Sequence, residues 1–314
     1  MQKKRTILYV ESDDHGGNIR GLMSPDTRLP DDNLILELAN DEDLSFTEAE
    51  LMVISDPKEF DYCYHSPKLR SFQLYLNKLR NRNLEWLVDL SAGDEILYLH
   101  LGDITQGQKY VSDWVTTRIG DQFLIALANH RPIMELPNLK AARYVEGTSS
   151  HVFGDGTSGG VVTAQLKAEY PEIDVKPIHH GLIEYNGLLI DCAHHGPGPG
   201  SRKWLEGNIA SYYIRDRMMK DLLRGRNPAD LFLRAHFHTW ARAFWNISID
   251  DKDYISEICL MPSMCGLNCY GRQVTKSVEQ ITNGALAFEI YGDKILDVHR
   301  WTKTLDLRNY EVIA

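Results

Sequence analysis

Tyr98-Leu99-His100-Leu101-Gly102-Asp103 is an apolar run that stops abruptly at a glycine and a carboxylate. A short alternating run closed by Gly predicts a buried strand that delivers Asp103 to its C-terminal edge, where α/β sheets keep their ligand sites. Four other strand-like runs end in the same way. Ile7-Leu8-Tyr9-Val10 precedes Asp13 and His15, Ala142-Arg143-Tyr144-Val145 precedes Gly147 and His151, Leu188-Leu189-Ile190 precedes His194 and His195, and Leu231-Phe232-Leu233 precedes His236 and His238. Five strand ends carrying Asp and His predict one metal site assembled from the whole chain.

At 314 residues the chain is long enough to bury a substantial core, and its 43% hydrophobic and 25% charged residues are ordinary for a globular protein. No apolar run reaches the roughly 18 residues of a membrane span, and the charged Met1-Gln2-Lys3-Lys4-Arg5 leads only into a strand-length segment. The expectation is a cytoplasmic protein without membrane contact. A net charge of -10 argues against an extended basic surface for nucleic acid, which binds through clustered Lys and Arg, but leaves room for a local basic pocket. Cys63, Cys192, Cys259, Cys265 and Cys269 are an odd set without a second ligand pair, which predicts reduced thiols rather than a disulfide framework or a zinc knuckle.

Along the chain, the first strand (Thr6 to Val10) leads into Glu11-Ser12-Asp13-Asp14-His15-Gly16-Gly17-Asn18, whose glycines let the backbone turn around what the side chains hold. Residues from about 23 to 65 show poor periodicity and read as a long excursion, in which Asp41-Glu42-Asp43 is a solvated helix start followed by capping-box chemistry at Thr47 to Glu50. Phe72, Leu76, Leu79, Trp86, Leu87 and Leu90 recur at helical spacing, so Ser71 to Leu90 is a helix crossing to the Asp103 strand in a parallel βαβ unit. A second helix lies within Gly107 to Asn129, with Asn129-His130 as its terminus rather than a ligand pair. Gly154, Gly156, Gly159 and Gly160 open another helix but lack the lysine and spacing of a P-loop. Asn186-Gly187 between Leu182-Tyr185 and Leu188-Asp191 signals a tight hairpin. A helix from Ile209 to Leu223 crosses to the Leu231 strand, and alternation from Ile247 to Val298 predicts an antiparallel second sheet. No linker or internal repeat interrupts residues 1–314, which are expected to form a single α/β domain.

Carboxylate oxygen from Asp13 and Asp103 with several imidazole nitrogens suits Mn, Fe or Zn better than Mg or Ca. Six or more ligands exceed one tetrahedral zinc. Two ions about 3.5 to 4 Å apart sharing one carboxylate accommodate the surplus and form a clamp for displacement at phosphorus.

The ordered blocks Asp13-x-His15, Gly102-Asp103, Gly147…His151, His194-His195 and His236-x-His238 resemble the calcineurin-like metallophosphoesterase superfamily, and more the phosphoesterases of phages and bacteria than the large protein phosphatases. The resemblance implies a four-layer α-β-β-α sandwich of two mixed sheets with a dinuclear centre, most simply of two Mn ions with Fe, Zn or Ni as alternatives. It implies that Asp13, His15 and His238 hold one ion, that Asp103 bridges, that His194 and His236 hold the other, and that His151 protonates the leaving group after attack on a phosphoester by a hydroxide bridging both ions. The implied activity is that of a phosphodiesterase, nuclease or phosphatase.

Two departures from that pattern stand out. The family's third block carries an Asn ligand, whereas Gly147-Thr148-Ser149-Ser150-His151 has none, so Thr148, Ser149 or a water takes its place. Ala235 replaces the usual Gly of the last block, and His195 competes with His194 as the ligand. Loss of the Asn also fits an alternative, a weak or inactive metal-binding scaffold of the same fold. Arg20, Arg202 and Lys203 lie near ligand loops and are candidates to hold a phosphoryl oxygen. Asp14, His65, His100, His130, His179, His180 and His299 read as structural or surface groups, and Trp204, Trp240 and Trp245 as packing.

Overall fold

The computed structural model describes residues 4–153, 158–200, 207–267, 279–308 and 311. It is an α/β protein with six helices and two mixed sheets of six and five strands among the described residues. The elements in chain order are β1 (Arg5–Glu11), β2 (Leu29–Pro30), α1 (Asp32–Asp41), α2 (Phe46–Ser55), β3 (Tyr64–His65), α3 (Ser71–Ser91), β4 (Glu95–His100), α4 (Ile119–Met134) and β5 (Leu139–Val145). They continue with α5 (Ser158–Glu169), β6 (Asp174–Ile178), β7 (Gly181–Tyr185), β8 (Leu188–Ala193), α6 (Asn208–Leu223), β9 (Leu231–Arg234), β10 (Ala241–Ile249), β11 (Lys252–Leu260), β12 (Gln280–Tyr291) and β13 (Lys294–Asp306). No helix is long and apolar enough to cross a membrane.

The larger sheet runs β13-β12-β1-β4-β5-β6, with β1, β4, β5 and β6 parallel and β12 antiparallel to β1. Its parallel half follows from βαβ crossovers through α3, α4 and α5, as the helical spacing of Phe72 to Leu90 predicts. The smaller sheet runs β10-β11-β9-β8-β7, parallel across β8, β9 and β11. The β7–β8 hairpin turns on Asn186 and Gly187, both at positive φ (52° and 94°), the combination a two-residue turn of this twist requires. One expectation is corrected here. β12 and β13 do not extend the second sheet; β12 pairs with β1 and completes the first, because Leu286 and Phe288 fall opposite Val10 and Leu8 and share their apolar cluster.

Alternation along the strands sorts the core. Ile7, Tyr9, Ile96, Tyr98, Ala142 and Tyr144 cluster with Leu87 of α3, Ala126 and Ile133 of α4 and Leu166 of α5. Their neighbours Leu8, Val10, Leu99 and Leu101 cluster instead with Ile190, Cys192, Leu231 and Leu233 of the smaller sheet. The other face of that sheet, through Phe232, Ile258 and Leu260, packs on Ala210 and Ile214 of α6. Each such buried aliphatic side chain stabilises the fold by about 1.5–3 kcal/mol, which fixes strand register and so the position of every strand tip. Trp240 and Trp245 pack against these clusters, while Trp204 lies outside the described residues.

The excursion over residues 23–65 carries α1 and α2 with a small core of its own, Ile35, Leu38, Ala49, Val53 and Cys63. Its capping box is closed by Ser45 and Glu48 rather than by Thr47 and Glu50, and the exposed acidic run ends α1 at Asp41 and Glu42 instead of starting a helix. α4 begins later than expected and runs four residues past His130, so His130 lies inside the helix and is buried.

Candidate metal centre

The five strand tips converge. The β1 loop is laced to the β4 tip by Asp13 N–H donating to Gly102 O (3.0 Å), His15 N–H to Asp103 O (2.8 Å) and Gly16 N–H to Ile104 O (3.0 Å). Ala235 N–H donates to His194 O at 2.9 Å, tying the β8 and β9 tips in the same manner. Of the eleven non-glycine residues at positive φ among the described residues, five are Asp13 (55°), His15 (46°), Asp103 (53°), His236 (77°) and His238 (52°). A left-handed backbone at such residues costs about 1–3 kcal/mol each and persists where its surroundings over-determine it, as ligand clamps do.

The side chains form overlapping groups whose ligand atoms lie within metal-sharing reach: Asp13, His15 and His238; Asp13, Asp103 and His194; His15, Asp103 and His151; and His194, His195 and His236. Oδ2 of Asp103 is 3.1 Å from Nε2 of His194 and 3.8 Å from Nε2 of His15. Oδ1 of Asp13 is 3.4 Å from Nε2 of His238, 3.9 Å from that of His15 and 4.0 Å from that of His194. Asp13 Oδ1, both ring nitrogens of His15 and Nδ1 of His238 are buried without a hydrogen-bond partner. Orphaned polar atoms are costly in a protein interior, and this donor set fits divalent cations held between them.

Neighbouring backbone orients the rings. Nδ1–H of His194 donates to Leu101 O at 2.6 Å, so its Nε2 faces Asp103; Nδ1–H of His151 donates to Gln106 O at 2.7 Å, so its Nε2 faces the site. Carbonyl partners of this kind fix the tautomer of ligating histidines. Two glycines are required by close approach. A Cβ on Gly102, at φ 98°, would meet His194 Nδ1 at 2.7 Å, and one on Gly147 would lie within 2.3 Å of the Asp103 backbone nitrogen.

The electrostatics follow from burial and mutual contact. Burial alone would raise Asp13 and Asp103, yet His238 and His194 against the first, and His194 and His151 against the second, hold both below the usual carboxylate range. Burial alone would depress His194, but Asp103 lifts it to about 9. Burial and His151 push His15 down to about 3, and burial and His194 push His236 to about 4. Near neutral pH the site thus combines ionised carboxylates with neutral His15 and His236, while His194 carries a proton that a cation would have to displace.

Thr148 stands in the block Gly147–His151, which contains no Asn. Its hydroxyl lies 3.1 Å from Asp103 Oδ2, 3.1 Å from His194 Nε2 and 3.3 Å from His236 Nδ1. His195 is exposed, its ring 4.6 Å from that of His236, whereas His194 is buried against Asp103. Arg20 turns its guanidinium to Leu267 O at 2.5 Å. Arg202, Lys203, Gly154, Gly156 and Cys269 lie outside the described residues. His65, His179, His180 and His299 pair instead with Asp31, Glu146, Asp191 and Glu289.

Reading the sequence missed two neighbours of the centre. Glu11 and Arg80 form a buried bidentate pair at 3.1 and 2.9 Å, and Asp14, His100 and His130 form a further buried group able to hold a cation. Alternation gave a usable signal for His100, which must face the helices if Leu99 and Leu101 face the other sheet. No protein-family model matches the chain, and no curated protein matches it. The structure defines an α/β protein of two mixed sheets with buried Asp and His clusters that can hold metal ions.

Proposed function

We propose that the chain is a metal-dependent phosphoesterase of the calcineurin-like type, a single domain layered α-β-β-α. The three apolar clusters support that layering, and the order of ligand-bearing strand tips supports the family. The observation that carries the reading is Asp103, whose Oδ2 lies between His15 and His194 and so belongs to two ligand groups at once. Asp13, His15 and His238 would hold one ion, His194 and His236 the other, Asp103 would be shared, and Thr148 would stand beside the second. Two divalent ions, manganese before iron, zinc or nickel, would supply Lewis acidity and lower the pKa of bound water toward neutrality.

The chain's own groups do the rest. His151, with Nδ1–H spent on Gln106 O, presents Nε2 to carry a proton to the leaving oxygen. Beside it, a cleft of about 340 Å³ is lined by Gln108, Lys109, Ser149, Ser150 and Val152, a polar surface with one cation for a phosphoester's remaining oxygens. Phosphodiesters, including nucleic acid gripped locally, and phosphomonoesters both suit this chemistry.

The test is turnover of bis-p-nitrophenyl phosphate and p-nitrophenyl phosphate with Mn, with metal counted in parallel. Two ions per chain and turnover that Asp103→Asn abolishes support the enzyme. At most one ion, and no turnover with Mn, Ni, Co or Zn, replaces it with a metal-binding scaffold. The specific observation on that side is Thr148, whose hydroxyl supplies a weaker ligand than an amide oxygen.

A further inference from the structure

Between Asp13 and His15, Asp14 sends its side chain elsewhere, to His100 of β4 and His130 of α4. All three residues are fully buried. Nε2 of His100 is 3.4 Å from Asp14 Oδ1 and Nε2 of His130 is 3.2 Å from Oδ2, yet all four atoms lack a hydrogen-bond partner. Rings that approach a carboxylate this closely without aiming an N–H along the contact are directed at a point between the atoms rather than at the oxygens. An ionised carboxylate left so would cost several kcal/mol.

The surroundings sharpen the point. Tyr98 donates its hydroxyl proton to Glu11 Oε2 at 3.0 Å, so toward Nδ1 of His130, 3.5 Å away, it can only accept. That places the His130 proton on Nδ1 and leaves the Nε2 lone pair facing Asp14, an arrangement that needs positive charge in between. Zinc with bonds of about 2.0–2.1 Å holds ligand atoms from different side chains about 3.4 Å apart, and each imidazole Nε2 stands 3.4 or 3.2 Å from an Asp14 oxygen.

We propose that Asp14, His100 and His130 hold a further divalent cation, zinc by its two-nitrogen, two-oxygen donor set, in a closed structural site. The Asp14 carboxylate and the two imidazoles supply every donor from side chains sealed off from solvent, as in a structural rather than a catalytic site. The ion ties the β1 loop to β4 and to α4, three segments distant in sequence, and so braces the backbone at Asp13 and His15. With every ligand sealed from solvent, it enters on folding and resists chelation of the native protein. The site stands independently of the phosphoesterase reading.

The experiment is chelation of the purified full-length protein with EDTA, metal counting by mass spectrometry, and a zinc-edge anomalous map. One zinc per chain is expected to survive chelation, to give a peak between Asp14, His100 and His130, and to leave only in denaturant. His130→Ala should lose it. Should that variant fail to fold, the Asp103→Asn/His236→Ala protein must still retain one zinc, since those residues belong to the other centre. A chelated protein that keeps its circular dichroism and melting temperature but holds no zinc overturns the proposal, as does a retained ion that vanishes with Asp103 and His236. The cluster would then share protons, keeping the 3.3 Å approach of Gly102 N–H to His100 Nδ1 that suits a proton on Nε2.

Discussion

Thr148 holds Asp103 twice: its main-chain N–H donates to Oδ1 at 2.6 Å and its hydroxyl to Oδ2 at 3.1 Å. The backbone bond orients the carboxylate whatever side chain stands at 148, while the hydroxyl also reaches the two histidines assigned to the second ion. Thr148→Ala therefore keeps Asp103 in place and weakens the ion at His194 and His236 about tenfold. Thr148→Asn, with a better oxygen, strengthens it. Calorimetric titration with Mn checks both; tighter binding by the Ala variant would show that the hydroxyl obstructs the ion.

Gly147 is the residue on which Asp103 leans. A Cβ there would lie within 2.3 Å of the Asp103 backbone nitrogen, and backbone cannot step aside as a flexible side chain can. Gly147→Ala should lower stability by about 1–3 kcal/mol through overpacking and cost both ions. Urea unfolding and metal counting measure the two effects, and a variant that binds two ions normally would remove Asp103 from the shared position.

His151 faces a sharper question, whether it moves a proton or merely binds metal. As a general acid it is worth about 10²–10⁴-fold, but only where the leaving group needs a proton. His151→Ala should slow an alkyl phosphoester far more than a p-nitrophenyl ester, whose leaving group departs as the anion, and should leave the ion count unchanged. Equal losses on both substrates, accompanied by a missing ion, would make it a ligand.

Four histidines set the pH response of the metal-free protein. His15, His130 and His236, at about 3, 4 and 4, lie below the ordinary 6.5, so their burial as neutral rings destabilises the fold increasingly as pH falls below 6.5. His194, at about 9, lies above it, so its contribution is complete below pH 6.5 and is lost as pH rises to 9. Thermal melting after removal of all metal should therefore peak near pH 6.5 and decline on both sides. Added Mn should release a proton from His194 and flatten the alkaline limb; an unchanged limb would contradict its role as a ligand.

How far the sequence could be read follows from which interactions are local. Alternation and the abrupt Gly or Asp at strand ends exposed β1, β4, β5, β8 and β9 and, through them, Asp13, His15, Asp103, His194, His236 and His238, because a strand's period fixes where its last residue points. The partner of β12 was not legible, since antiparallel alternation names a face and not a neighbour. His130 was hidden for a similar reason: the polar pair Asn129-His130 after an apolar run looks like a helix terminus until the carboxylate that His130 meets, 116 positions earlier in the chain, is known. Thr148 was only one of three alternatives, since nothing local distinguishes it from Ser149.

Arg80 offers a last measurement, on the layer beneath the centre. It is buried, gives two hydrogen bonds to Glu11 and a third to Asn129 O, while Tyr9 and Tyr98 donate to the same carboxylate at 2.8 and 3.0 Å. Glu11 ends β1, and its carbonyl accepts Leu101 N–H at 2.9 Å, so the pair sits directly below the loop that carries Asp13. Arg80→Met strands a buried carboxylate and should cost about 3–5 kcal/mol. Glu11→Gln/Arg80→Met removes both charges and should recover a substantial part of that, because one tyrosine hydroxyl still donates to the amide oxygen and the other, on the opposite side, can accept from the amide NH2. Urea unfolding of the single and double variants supplies the cycle. If the losses simply add, the pair contributes no coupling, and the β1 tip is held by its backbone bonds to β4 alone.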